Sequence, residues 1–128
     1  MQYSLRAFSF IVVTAALLAG CQQPVHKPQP PVATQLDQLS SLLASAQFLR
    51  QHCSRTDIPQ NDQLQRTALQ VAQQRGWNSE AVEYQQLAMK TQGRYQALEQ
   101  DSSPLSQKCA TLNSSSARFI ATAQAGRG

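Results

Sequence analysis

The chain has 128 residues, with 11 Lys/Arg against 7 Asp/Glu, a net charge of +4 and only two histidines. This length holds one small domain, and the basic residues are scattered rather than gathered into a stripe, which excludes a nucleic-acid partner. Abundant Gln, Ser and Ala give a neutral polar surface with high helix propensity.

The N-terminus carries the clearest motif. Arg6 supplies a positive n-region, and Phe8 to Leu18 form an apolar stretch too short for an ordinary membrane span. Leu18-Ala19-Gly20-Cys21 then closes the stretch with small residues and a cysteine. This is the pattern of a bacterial lipoprotein signal, in which residues 1–20 are the leader and Cys21 is acylated. An uncleaved anchor or a plain secretory signal is the alternative. Each buried CH₂ contributes about 0.8 kcal/mol, so two or three acyl chains hold far more firmly than one. Gln22, where Asp would favour retention in the inner membrane, points to the outer membrane, periplasmic face. Processing also removes Arg6, which lowers the net charge of +4 by one.

Residues 21–33 include Pro24, Pro28, Pro30 and Pro31 and little that packs. They read as a semi-rigid polyproline-like tether extending roughly 3.1 Å per residue, with His26 and Lys27 solvated.

From Thr34 the apolar period becomes 3.6 and no segment alternates as a strand. The expectation is an all-α fold, a small four-helix bundle over residues 34–125 with a frayed tail at 126–128. Thr34 and Asp37 make a plausible cap for helix 1, whose face carries Leu36, Leu39, Leu42, Leu43, Ala46, Leu49 and Cys53. Pro59 and Asp62 open helix 2, with Asp62 and Gln65 as a cap pair and Leu64, Ala68, Val71 and Ala72 inward. Gly76 stops it, and Trp77 packs back on the helix just ended. Helix 3 starts after Asn78 or Ser79, with Glu80 and Glu83 suited to its dipole. Ala81, Tyr84, Leu87, Ala88, Thr91, Tyr95 and Leu98 share its stripe, and Gly93 loosens it by about 1 kcal/mol relative to Ala. Ser103 and Pro104 read as cap and first residue of helix 4, with Leu105, Cys109, Leu112, Ser116, Phe119, Ile120 and Ala123 inward.

With Cys21 committed to lipid, Cys53 and Cys109 remain as an even pair in an oxidising compartment. A disulfide clamping helix 1 to helix 4 is expected, worth roughly 4 kcal/mol on a chain-entropy estimate. Two buried free thiols are the alternative.

Catalytic machinery is not visible. His26 lies in the tether, and His52 beside Cys53 lacks the ligand count of a zinc site. No catalytic residue, metal or cofactor is expected. Four apolar residues fall off the main stripes: Phe48, beside Ser41, Ala44 and Ser45; Leu69, on a shoulder of helix 2; and Val82 and Met89, on a second face of helix 3. Large apolar residues flanked by small ones suit a groove for a partner helix, so these four are the candidate partner-binding residues. Cover by other helices or the tether is the alternative.

Four stretches carry a family likeness: Leu49 to Arg55 around His52-Cys53, Ala68 to Trp77 ending Arg75-Gly76-Trp77, Gln92 to Leu98, and Lys108 to Asn113 around Cys109. In this order they resemble the PulS/OutS family of type II secretion pilotins. The resemblance places the acylated residue at Cys21 and the family disulfide at Cys53 and Cys109. It implies a helical outer-membrane lipoprotein that binds the C-terminal segment of a secretin, disordered alone and helical in a groove of the bundle. The lipoprotein sorting machinery then carries the pair to the outer membrane. Two other readings stand beside it. One is a different helical envelope lipoprotein docking on a folded target as an exclusion or inhibitor module. The other is a small periplasmic hydrolase, which requires His52 beside a serine and a carboxylate.

Overall fold

The computed structural model describes residues 28–126; the lipoprotein signal, Cys21, most of the expected tether and residues 127–128 lie outside that range. Pro31 leads the chain into α1 (Val32–His52), two residues before the expected Thr34 start, and no side chain caps that end. Gln35 ties the entry down instead. Its amide Nε2 donates to the Pro30 carbonyl at 2.8 Å, and its backbone N–H donates to that of Pro31 at 3.0 Å.

α1 is the centre of the fold. α2 (Asn61–Gln74), α3 (Leu87–Gln100) and α4 (Leu105–Ala125) each pack on it. α2 also packs closely on α4, whereas the α3 backbone stays apart from those of α2 and α4 and meets α4 through side chains such as Lys108. The leucine face expected of α1 is buried at Leu36, Leu39, Leu43 and Leu49, and so are Ser40, Ala44, Ser45 and Phe48. A helix enclosed by three others has more than one inward side. Trp77, Tyr84, Phe119 and Ile120 complete the core from the surrounding elements, and Ile58 enters it from the α1–α2 loop.

The C-terminus of α2 follows the expected stop. Gly76 takes φ +75°, its N–H donates to the Gln73 carbonyl at 2.9 Å, and the Trp77 N–H returns to the Ala72 carbonyl at 2.9 Å. This paired pattern satisfies the last carbonyls and folds the Trp77 ring onto the core. The N-terminus of α2 differs. Gln60 occupies the cap position with no side-chain bond, and Asp62 meets Arg66 at 3.3 Å rather than capping with Gln65.

α3 begins at Leu87, not after Asn78 or Ser79. The Asn78 Oδ1 accepts the Glu80 N–H at 3.1 Å, Ala81 is extended, and Val82–Gln86 form a 3₁₀ turn. A short polar side chain here competes with the helix for backbone donors. The tight turn delivers Tyr84 into the core, where its hydroxyl donates to Gln35 Oε1 at 2.6 Å. Burial raises the pKa of that phenol, which keeps it a donor.

α4 also starts differently from expectation. Pro104 is its N-cap rather than its first helical residue, and the Ser103 N–H donates to Asp101 Oδ1 at 2.7 Å instead of Ser103 acting as cap. From the second turn of α4, Lys108 Nζ donates to the carbonyls of Leu98 and Asp101 at 2.9 and 2.8 Å. One ammonium thus satisfies the end of α3, where a cation also suits the dipole. The Cys53–Cys109 disulfide joins the end of α1 to α4 across a separation of 56 residues, with Cα atoms 5.7 Å apart. No strand occurs among the described residues, and none of their helices is long and apolar enough to cross a membrane.

Candidate partner-binding groove

Because the α3 and α4 backbones stay apart where both pack on α1, a cleft opens between them with α1 as its floor. Ser41, Ala44 and Ser45 form the floor, Arg94, Ala97 and Leu98 one wall, and Leu112 and Ser115 the other. Ser41 is the exposed part of this floor, with Ala44 and Ser45 buried beneath it, and its small side chain leaves room for a partner backbone beside α1. Toward the start of α1 the cleft continues past Thr34, Asp37, Gln38 and Leu42 to Arg75. Toward the end of α3 it continues past Asp101 to Gln107 and Thr111. A branch along α4 adds Arg118, Phe119 and Thr122. Neighbouring clefts share residues and so adjoin as one channel along the side of α1 that no helix of the described residues covers.

The channel is charged unevenly. Asp37 Oδ1 lies 3.5 Å from Lys90 Nζ and 3.4 Å from an Arg94 nitrogen, so one carboxylate serves two cations. At the other end Asp101 is held below the usual carboxylate range by hydrogen bonds from Ser103.

The structure does not bring the four sequence-derived candidates together. Phe48 is a correction: it is 2% exposed and lies in the core, not on a free face. The His52 ring lies tilted against it at 4.6 Å, Tyr95 lies 6.2 Å away, and Lys108 Nζ sits 5.3 Å over its ring. α3 and α4 close over that side of α1, which a single-helix pattern does not reveal. Leu69 is half-buried against the core on α2. Val82 and Met89 are exposed, at 68% and 69%, but neither lines the channel. Of the residues noted in the sequence around Phe48, the small ones, Ser41, Ala44 and Ser45, are those that form the floor. Leu98 and Leu112, read as core, serve core and channel at once.

His52 Nε2 hydrogen-bonds to Tyr95 Oη at 3.0 Å and lies 3.3 Å from Glu99. Among its described partners there is no serine, so the described residues do not place His52 beside both a serine and a carboxylate. No group of three or more potential metal ligands occurs among the described residues. A second polar cluster braces the disulfide end. Arg55 grips Asp57 through two bonds of 2.9 Å and reaches Asn113 of α4, while Gln124 Nε2 donates to Asp57 Oδ2 at 2.8 Å. Bonds from Arg55 lead the causes that lower the Asp57 pKa to about 2.

The described residues define a class, the small disulfide-braced helical domain with an open groove, rather than one protein. Residues 18–121 match the type II secretion system pilotin lipoprotein family (PulS_OutS), and the chain belongs to that family. It is 35% identical over 114 residues to the pullulanase secretion protein PulS of Klebsiella pneumoniae, covering 87% of this chain and 90% of that protein. It is 32% identical over 111 residues to pilotin OutS of Dickeya dadantii (strain 3937), covering 80% and 82% respectively. The fold is similar to the structure of a pilotin/secretin peptide complex, with a TM-score of 0.71, 33% identity, and coverage of 74% of this chain and 98% of that one. It is also similar to a chain in the Klebsiella pneumoniae type II secretion outer membrane complex of PulD, PulS and PulC HR domain, with a TM-score of 0.66 and 36% identity. Coverage there is 70% of this chain and 95% of the other.

Proposed function

We propose that this protein is a lipid-anchored pilotin that receives the disordered C-terminal segment of a secretin in the channel beside α1 and delivers it to the outer membrane. The observation that carries this reading is the uncovered channel, floored by Ser41, Ala44 and Ser45, in a chain of the pilotin family. A relative described with a secretin peptide supports the choice of occupant.

The chemistry suits the task. A segment that orders on binding must offset its conformational entropy with apolar burial, and Leu98, Leu112 and the Phe119 edge supply apolar surface in the channel. The disulfide and the Lys108 link between α3 and α4 hold the channel open in advance, which removes a second ordering cost. Cys21 provides the lipid that the sorting machinery recognises, and the helical domain provides the grip. No covalent step on the client is required, and we assign no enzymatic activity.

Membrane fractionation tests the reading. With Cys21→Ser, the domain still co-purifies with its secretin but the secretin is stranded away from the outer membrane. Unaltered secretin delivery by that variant, or a wild-type protein that fails to co-purify with any secretin of its own bacterium, contradicts it.

A further inference from the structure

Three arginines, from the end of α2, from α3 and from α4, line two adjoining parts of the channel that meet at Arg75. Arg75, at the end of α2, lines both the cleft at the start of α1 and the branch along α4; Arg94 of α3 shares the first with it and Arg118 of α4 the second. Acidic balance is thin there. Asp37 is divided between Arg94 and Lys90. Arg75 bonds only a neutral amide, Gln38 Oε1 at 3.2 Å, and sits 4.8 Å over the Trp77 ring. Among the described residues no carboxylate pairs with Arg75 or Arg118. Elsewhere on the domain Arg55 and Arg66 find carboxylates, while Arg50 stands apart from the channel without one among the described residues. Like charges gathered without counter-charge repel one another, and an anionic ligand relieves that repulsion.

We infer that the segment held in the channel bears carboxylate side chains on the turn facing Arg75, Arg94 and Arg118, and that this basic rim selects it by charge. The inference rests on the channel being the secretin site and adds the chemistry of the partner. The small floor accepts any narrow helix face, whereas the rim rejects segments that are neutral or basic at that turn. Such rim charges act on encounter and specificity more than on apolar grip, and salt screens them.

The test uses the full-length lipoprotein in detergent and two synthetic peptides. One is the C-terminal segment of the secretin from the same bacterium; the other is that peptide with every Asp and Glu replaced by Asn or Gln. The native peptide is expected to bind wild type more tightly, with an advantage that salt removes. Arg118→Gln and Arg75→Gln each weaken the native peptide about two- to five-fold and leave the amide peptide unchanged. Arg66→Gln, on the outer surface of α2, alters neither. Arg75 also stacks on Trp77, so Arg118→Gln, which disturbs no such contact, carries the result if Arg75→Gln lowers the melting temperature. Equal binding of the two peptides overturns the inference while leaving the pilotin reading intact. Failure of both peptides to bind defeats the pilotin reading itself and the inference with it.

Discussion

Phe48 shows how much one residue decides. Its ring is enclosed by α1, α3 and α4 together, in contact with His52 and Tyr95 and beneath the Lys108 ammonium. Phe48→Ala leaves a cavity where three helices meet, and its expected cost is about 3–5 kcal/mol in denaturant unfolding. A loss below about 1 kcal/mol contradicts its place in the core. Asp57 supplies a pH signature. Its carboxyl is lowered to about 2, chiefly by bonds from Arg55, so its contribution to stability is full above the unfolded value near 4 and is lost as pH falls toward 2. The group is 52% exposed, so solvent screens the effect. Asp57→Asn is expected to flatten the acid limb of the stability profile between about pH 4 and 2; an unchanged limb assigns acid lability to other carboxylates.

At the scale of elements, two glycines make opposite cases. Gly76 holds φ +75°, and an added Cβ there also meets Gln29 Nε2 at 3.2 Å. Gly93 lies inside α3 with nothing within 4 Å of an added Cβ. Gly76→Ala is expected to destabilise by about 1–2 kcal/mol, and Gly93→Ala to stabilise by up to about 1 kcal/mol. Thermal unfolding of the pair checks this, and a stabilised Gly76→Ala contradicts the helix stop described for α2. Helix existence and stop signals were legible in the sequence at this scale: Gly76-Trp77 marks the end of α2, and the leucine spacing marks α1. Helix starts were not. Asp62 and Ser103 look like caps, but the one pairs with Arg66 and the other donates to Asp101. Local hydrogen bonding of a side chain is chosen among several near-equal partners, and the sequence does not rank them. The 3₁₀ turn before α3 was hidden for the same reason, because Tyr84 is drawn in by Gln35, 49 residues away.

The described residues form one central helix with three neighbours, and the proposed binding site is the side those neighbours leave uncovered. That side was half legible. Ser41, Ala44 and Ser45 stand out as a run of small residues on α1, and they form the floor. The walls and the basic rim come from α2, α3 and α4 and meet where the α3 and α4 backbones stay apart, a tertiary outcome with no periodic signature. Phe48 misled because a pattern of period 3.6 identifies one inward face, and α1 has several. The most direct measurement is the affinity of the cognate secretin C-terminal peptide for wild type and for Ser41→Trp. Ser41 is exposed on the channel floor, so the indole fills the channel without entering the core. The expected result is peptide binding with a gain of helical circular dichroism for wild type, and a loss of about ten-fold or more for Ser41→Trp at unchanged melting temperature. Equal binding and equal helix gain by the two proteins contradict the placement of the secretin tail in this channel.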